Sequence, residues 1–417
     1  MVSILKEKTK SLCPDCFQVI NASVYEKSGA VFMGKRCPEH GEFECLVEKD
    51  PWLYKKLMNK EPLKQKRRFD NLMIAVTHSC NLSCPVCYLP NRETADLSLE
   101  KIKNTVSKFG GWLIRLSGGE PTVRDDLPEI IRFISEQKKV PVIITNGVKL
   151  AERNYLKKLK AAGLKQVHFS LNGFDDEVSK KINGKRLLKT KLKALDNLRR
   201  EKMGVVISVM LEKGVNETEL EKIYRYCLRN KFVHSLRVRT TAPIGRVAGN
   251  SEQIYLSEAI ELMSDIIGVE KELLVEHSLY TRAKTEKAIA AKKRENQPQV
   301  VVPRDHLPCG MDISLMELFL QEKGIRKIQN TLLRKLKIIF MLIPKIGVRN
   351  TFSATFNMLK GIKPIVGLLI NIRAWPNKYT MDLEEIERCP SSHFVSETGD
   401  IVPYCYGLTL NDNRFEL

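Results

Sequence analysis

The stretch Thr77–Tyr88, THSCNLSCPVCY, holds Cys80, Cys84 and Cys87 at C-x3-C-x2-C spacing. Three thiolates on one short loop can ligate three irons of a cubane cluster and leave the fourth iron open to a small molecule. A closed four-cysteine site would suit electron transfer instead. Zinc favours four ligands, commonly delivered by C-x2-C pairs. The spacing therefore predicts an open iron–sulfur site whose bare iron does the chemistry.

Two further groups of cysteines flank this loop. Cys13 and Cys16 sit in LCPDC, and KRCPEHGEFEC brings Cys37, His40 and Cys45. Between them, NASVYEKSGAVFMG reads as two strands around a turn at Lys27-Ser28-Gly29. This is a hairpin with a metal knuckle at its open end, rubredoxin-like or zinc-ribbon-like. It would bind one iron or zinc through Cys13, Cys16, Cys37 and a fourth ligand, either Cys45 or His40. Such a metal staples a module too small for its own core, or carries electrons. Near the other end, Cys389 and Cys405 flank a turn at Thr398-Gly399-Asp400, and Cys309 sits in HLPCGMD. These three predict a second, auxiliary [4Fe-4S] cluster. Cys227 lies mid-helix in IYRYCLRN and reads as a small buried hydrophobe.

The elements that must position these thiols alternate between short apolar runs and helical spacing. Strands are expected at Leu72–Val76, Trp112–Leu116, Val140–Thr145, Gln166–Leu171, Val205–Met210 and Leu236–Thr240. Helical segments include Leu97–Phe109, Ala151–Ala162, Leu187–Lys202 and Glu217–Asn230. This order predicts an α/β fold, a partial (β/α)6 barrel of parallel strands. In such barrels the site gathers on loops at the C-terminal strand ends, and the Cys80–Cys87 loop follows the first strand. His168 alternates within an apolar strand and reads as a core histidine.

With that loop and that alternation, the chain resembles the radical S-adenosylmethionine (radical SAM) superfamily, and Tyr88 fills its aromatic place beside the third Cys. The resemblance implies a [4Fe-4S] cluster whose open iron is chelated by SAM. Cleavage of SAM would then yield a 5′-deoxyadenosyl radical that removes hydrogen from an unreactive C–H bond. It implies that Gly118-Gly119-Glu120 meets the SAM ammonium. Asn146, Ser170 and Asn172, at the ends of the third and fourth strands, could bind the ribose and carboxylate of SAM, or could serve helix caps and turns. The backbone at Ile244 could touch adenine. Arg246 could reach a carboxylate or pair with a structural acid.

Composition adds an anionic partner. The chain has 417 residues and a formal charge of +20, which draws it to RNA, phospholipid or an acidic protein. The stretch Lys323–Arg373 interleaves apolar residues with Lys and Arg and has no acid. It suits an amphipathic segment lying in a membrane interface, and no run reaches the roughly 18 apolar residues of a span. The cysteines and the lack of a secretory leader suggest a cytoplasmic protein, peripheral on a membrane. The expected organisation is a metal-knuckle module at 1–55, a linker at 56–70, the barrel at 71–275, a basic amphipathic insert at 276–375 and a SPASM-like auxiliary-cluster tail at 376–417.

The CPDC…CPEHG module, the barrel and the GDIVPYC tail together resemble the archaeal group that contains tetraether lipid synthase. That resemblance implies C–C bond formation on an isoprenoid membrane lipid, with a reducing partner such as ferredoxin or flavodoxin. The chain departs from the group in having thiols for one auxiliary cluster at most. A peptide or RNA is the alternative substrate, with nucleic acid the weaker of the partners because stacking aromatics are scarce in the basic stretch.

Overall fold

The computed structural model describes residues 2–58, 69, 71–89, 95–247, 253–279, 309–314, 368–387, 389, 391–394 and 399–407. The basic stretch Lys323–Arg373 lies outside the described residues except for its last six positions, 368–373.

The N-terminal module is a four-stranded antiparallel meander of β1 (Val2–Leu12), β2 (Val19–Lys27), β3 (Ala30–Cys37) and β4 (Gly41–Glu48). The expected hairpin is β2–β3. Its two turn residues, Ser28 and Gly29, both have positive φ (51° and 76°), as a two-residue hairpin turn matched to strand twist requires. Helix α1 (Pro51–Leu57) follows, with Asp50 capping Leu53 N at 3.0 Å. It buries Leu53 and Leu57 in the core of the large domain and Tyr54 in the module's own core. One short helix therefore ties the two together.

The module is docked, not tethered. Asp382 accepts from Lys6 Nζ at 2.8 Å and Thr9 Oγ1 at 2.6 Å. Buried Lys35 donates to Leu12 O at 2.7 Å and to Lys378 O at 2.9 Å. Glu48, also buried, accepts from Ser257 Oγ and Ser257 N.

The large domain is built on six parallel strands, β5 (Asn71–Thr77), β6 (Leu113–Gly118), β7 (Val140–Thr145), β8 (Gln166–Ser170), β9 (Gly204–Leu211) and β10 (Val233–Thr240). Each pairs with its neighbour in chain order, as right-handed β-α-β crossovers dictate. Helices α2 (Leu99–Lys108), α3 (Leu127–Glu136), α4 (Arg153–Ala161), α5 (Asp176–Asn183), α6 (Leu188–Arg200) and α7 (Glu217–Arg229) lie between them. Alternate strand residues such as Leu72, Ile74, Ile114, Leu116, Val167, Phe169, Ile207, Leu236 and Val238 form the core under these helices. The residues between them in each strand face the opposite way, into the barrel interior. The sheet is thus the partial barrel expected.

Four more strands extend it. β12 (Leu369–Arg373) runs parallel to β10, with β11 (Gly310–Ser314) antiparallel outside it. On the other flank β13 (Ser391–Phe394) runs parallel to β5, with β14 (Ile401–Pro403) outside that. Strands from the stretches read as insert and tail therefore complete the barrel sheet. Cys309, just before β11, and Cys405, just after β14, lie at opposite ends of the strand order. They nevertheless perturb each other electrostatically and line one cavity with Cys389. The sheet curls until its two flanks approach.

Candidate active site

The Cys80–Cys87 loop leaves the C-terminal end of β5, and three glycines hold other segments against it. At Gly118 (φ 121°) a Cβ would stand 2.0 Å from Thr77 O, so only glycine lets β6 close on the loop. Gly119 N then donates to Thr77 O at 2.8 Å and Glu120 N to Ser79 O at 2.9 Å. Gly184 (φ 76°), at the end of α5, would place a Cβ 2.9 Å from Ser83 O. Gly245 (φ 69°) would place one 2.3 Å from Cys87 O. Beside it Arg246 donates through its backbone N to Cys87 O at 2.8 Å and through Nη1 to Cys84 O at 3.0 Å. Arg246 therefore clamps the loop's backbone, and among the described residues it forms no ion pair.

The three thiols sit half-buried on this loop. Cys80 Sγ accepts from Leu82 N at 3.4 Å, Asn183 Nδ2 approaches Cys84 Sγ at 3.8 Å, and Cys87 Sγ donates to Leu89 O at 3.3 Å. Tyr88 turns inward, its hydroxyl 3.2 Å from Ser117 Oγ and its ring edge-on to Trp375 at 5.7 Å. Three half-buried thiols on one loop form a donor set that fits a cubane core better than a single ion.

The residues expected to contact SAM divide into two kinds. Glu120 is 1% exposed. Its Oε1 accepts from Thr122 N (3.1 Å), Thr122 Oγ1 (2.6 Å) and Thr145 Oγ1 (2.8 Å), and its Oε2 from Asn146 N (2.7 Å). Its carboxylate therefore locks the ends of β6 and β7, and only the backbone of Gly118-Gly119-Glu120 is left to face a ligand. Asn172 is spent likewise: its Oδ1 accepts from Met210 N and its carbonyl from Asn216 Nδ2, both at 2.9 Å. Asn146 Nδ2 reaches Asn81 in the cysteine loop at 2.7 Å. Ser170 lies opposite Ser208 at the end of β8, its carbonyl accepting from buried Lys191 at 2.8 Å. Ile244 packs with Ala242 and Trp375, with Tyr88 and Tyr404 against them.

The barrel interior is polar and cationic, which the sequence reading missed. Arg115 on β6, His168 on β8 and Arg237 and Arg239 on β10 all occupy the alternate, inward positions. His168 is thus not in the apolar core; Arg237 Nη1 lies 3.2 Å from its Nδ1. Burial first, then the neighbouring guanidiniums, lower its pKa well below the usual histidine value. Arg239 lies over Trp375 at 5.4 Å, and Trp375 meets Tyr404 edge-on at 6.5 Å. The signal was available. LIRLS and LRVRT place cations at every second position of otherwise apolar runs, a period-two pattern of an inner barrel face.

Known families match both halves of this architecture. The radical SAM superfamily model matches residues 74–227, which contain the cysteine loop, and an "HMPTM N-terminal zinc ribbon domain" model matches residues 5–49. The chain is a radical SAM iron–sulfur enzyme. Its cofactor is a [4Fe-4S] cluster with SAM. A relative of full length is the 7,8-dihydro-6-hydroxymethylpterin dimethyltransferase of Methanocaldococcus jannaschii, 26% identical over 99% of this chain and 95% of its own. The GTP 3′,8-cyclase of a Sulfurovum species is 31% identical over 39% of this chain, which spans about half (52%) of that relative. Among solved structures, Streptococcus suis SuiB bound to S-adenosylmethionine aligns over 48% of this chain and 47% of its own, at TM-score 0.42 and 19% identity. The full-length relative is thus a pterin enzyme, where the module and tail had suggested a tetraether lipid synthase.

This radical SAM enzyme carries its second metal site in the ribbon module. Ligand atoms of Cys13, Cys16, Cys37 and His40 all lie within 4.8 Å of one another. His40 Nδ1 stands 3.8 Å from Cys13 Sγ and 3.5 Å from Cys37 Sγ, and Cys16 and Cys37 sulfurs are 3.8 Å apart. Cys45 is not in the group. The β3–β4 register pairs Cys37 with Gly41 but Cys45 with Met33, four rungs away, or about 13 Å at strand rise. The Cys37 thiol is pushed up by burial but pulled down further by the His40 imidazole and nearby backbone N–H groups, to about 6. A set of three thiols and one imidazole this close suits tetrahedral zinc.

The third group converges too. Cys309, Cys389 and Cys405 line one cleft with Trp375, Tyr54 and Glu385. Burial raises Cys309 to about 12 and Cys389 to about 11, and burial with the two neighbouring thiols raises Cys405 further. Cys227 lies buried in α7 within the core. Among the described residues no helix is long and apolar enough to cross a membrane.

Proposed function

We propose that this radical SAM enzyme methylates a reduced pterin. The observation that carries the reading is the aromatic and hydrogen-bonding wall beside the cysteine loop. Trp375 is 8% exposed, its Nε1 has no partner among the described residues, and Tyr88 and Tyr404 meet its ring edge-on. A flat heterocycle edged with carbonyl and ring nitrogens satisfies such a donor while covering the rings. The full-length relative is named for a molecule of that kind. An isoprenoid chain would bury Arg115, Arg237 and Arg239 against hydrocarbon, leaving charges without solvation at a cost of several kcal/mol each. The lipid substrate has no support from the relatives, and the basic stretch that suggested it lies outside the described residues.

In this reading Cys80, Cys84 and Cys87 hold the catalytic cluster, and Cys309, Cys389 and Cys405 hold an auxiliary one at the closing flanks of the sheet. The bound cluster and SAM supply the radical that removes hydrogen from a C–H bond. The chain's own residues supply placement. The Gly118–Glu120 backbone and the Asn146 side chain edge the SAM position, and Tyr88, Trp375 and Tyr404 hold the ring and exclude water. The zinc ribbon, through α1 and Tyr54, walls the cleft at the auxiliary cysteines. Its role is that of a staple. A reducing partner such as a flavodoxin or ferredoxin feeds the cluster.

The reading is tested by anaerobic titration of the cluster-loaded enzyme with 6-hydroxymethyl-7,8-dihydropterin. Saturable binding that Trp375→Leu weakens by about tenfold is expected, one stacking and hydrogen-bonding ring being worth about 1.5 kcal/mol. Binding that Trp375→Leu leaves unchanged, or no binding at all, would overturn it.

A further inference from the structure

Among the described residues, three cations in the barrel interior make no salt bridge to a carboxylate. Arg115 and Arg237 are each 9% exposed and Arg239 is half-buried. Among the described residues Arg115 Nε has no hydrogen-bond partner, Arg237 meets a neutral histidine ring, and Arg239 meets the Trp375 face. Asp312, which acts on Arg237 electrostatically, is already engaged: Arg373 Nη2 binds it at 2.8 Å, and Asn371 donates to its other oxygen. All three stand at inward positions of β6 and β10; the charge of Arg239 opposes that of Arg115, and both oppose that of Arg237. They stay charged at neutral pH all the same. An uncompensated buried charge is among the costlier features a fold can carry, and three together imply that a ligand completes them.

The thiols of the neighbouring sites do not suffice. Arg115 lies near Cys389, and Arg239 near Cys309 and Cys405. A cubane core held by three thiolates carries about one net negative charge, which leaves most of the guanidinium charge unmatched. The place of the group is also informative. Arg239 rests on Trp375, which also meets Tyr88 of the cysteine loop edge-on. An anion held there sits within one small molecule's reach of the aromatic wall.

We propose that Arg115, Arg237 and Arg239 bind a phosphate group carried by the substrate. Resting on the reduced-pterin reading, this makes the substrate a phosphate ester at the hydroxymethyl carbon, the alcohol that can carry one. Three guanidiniums on one inner face of the barrel suit the three terminal oxygens and near-double charge of a phosphomonoester. A carboxylate offers two oxygens and one charge.

Calorimetry on the cluster-loaded enzyme, without reductant, tests this with four probes: the pterin alcohol, its phosphate monoester, inorganic phosphate and SAM. The monoester is expected to bind at least about 30-fold tighter than the alcohol in the wild type, a comparison that needs no variant. Arg239→Gln is expected to remove most of that gain, while alcohol and SAM affinities stay within about threefold. Equal binding of ester and alcohol would overturn the phosphate site and leave the pterin reading standing. Weakened SAM binding with unchanged ester binding would reassign the arginines to SAM and also overturn it. Inorganic phosphate binding that Arg239→Gln abolishes, with neither pterin bound, would uphold the anion site and reject the pterin reading.

Discussion

Gly245→Ala is the sharpest perturbation of the cysteine loop. The residue sits at φ 69°, and an added Cβ would lie 2.3 Å from Cys87 O and 2.7 Å from Tyr88 Cα. Two costs follow. Left-handed backbone in a residue with a Cβ costs about 1–2 kcal/mol. Relieving the contact needs the loop and the β10 end to part by about 1 Å, which overpacked sites resist with about 1–3 kcal/mol more. Parting them also stretches the bond from Arg246 N to Cys87 O, now 2.8 Å. A displacement of that size at reacting groups costs about 100-fold in rate. Gly268→Ala is the matched control: its φ is 70°, but nothing lies within 4 Å of its added Cβ. The assay is reductive SAM cleavage to 5′-deoxyadenosine, read beside iron and zinc content. Gly245→Ala should lose iron on reconstitution and about two orders of magnitude of cleavage while keeping zinc. Gly268→Ala should lose about 1 kcal/mol of stability and no cleavage. Equal cleavage by the two variants would refute the claim that close approach of the turn after β10 positions the cysteine loop.

Replacing Cys80, Cys84 or Cys87 singly with Ala should abolish SAM cleavage with zinc retained; full cleavage in all three variants would remove the loop from the chemistry. His40→Ala should weaken zinc affinity by at least about tenfold, since a tetrahedral site loses one of four ligands, whereas Cys45→Ala should leave zinc stoichiometry unchanged. The reverse order would restore Cys45 as the fourth ligand. Asp382 accepts from Lys6, Thr9 and two backbone N–H groups while 7% exposed, so Asp382→Ala should cost about 3–5 kcal/mol and expose the ribbon module to limited proteolysis. Unchanged protease resistance would show that the docking rests on α1 alone.

The barrel was legible because its strands are short apolar runs spaced by helices, and all six fall where the pattern places them. The cysteine loop was legible because ligand spacing is local in sequence. What was not legible depended on long-range register. Cys45 and His40 are equally near Cys37 along the chain, and only the β3–β4 pairing separates them. Glu120 and Asn172 look like ligand contacts in a motif, and only the fold shows that they also bond neighbouring strands, through Thr145 and Met210. β1 escaped notice because VSILKEKTKSL is an edge strand with mostly exposed, charged residues. The interior arginines were visible as alternation, but a cation within an apolar strand is uninformative until the sheet's inner face is known. The substrate was not legible for a similar reason: net charge and a basic stretch speak of an anionic partner without saying whether a membrane or a small anion supplies it.

The central claim is that the radical abstracts hydrogen from a reduced pterin. Its most direct test is reductive SAM cleavage by the cluster-loaded enzyme with dihydropterin deuterated at the saturated ring carbon and at the hydroxymethyl carbon, supplied as alcohol and as phosphate ester. The account predicts deuterium in the 5′-deoxyadenosine formed from at least one of these. Unlabelled 5′-deoxyadenosine from both, with label instead arriving from a deuterated isoprenoid lipid or peptide, would contradict it.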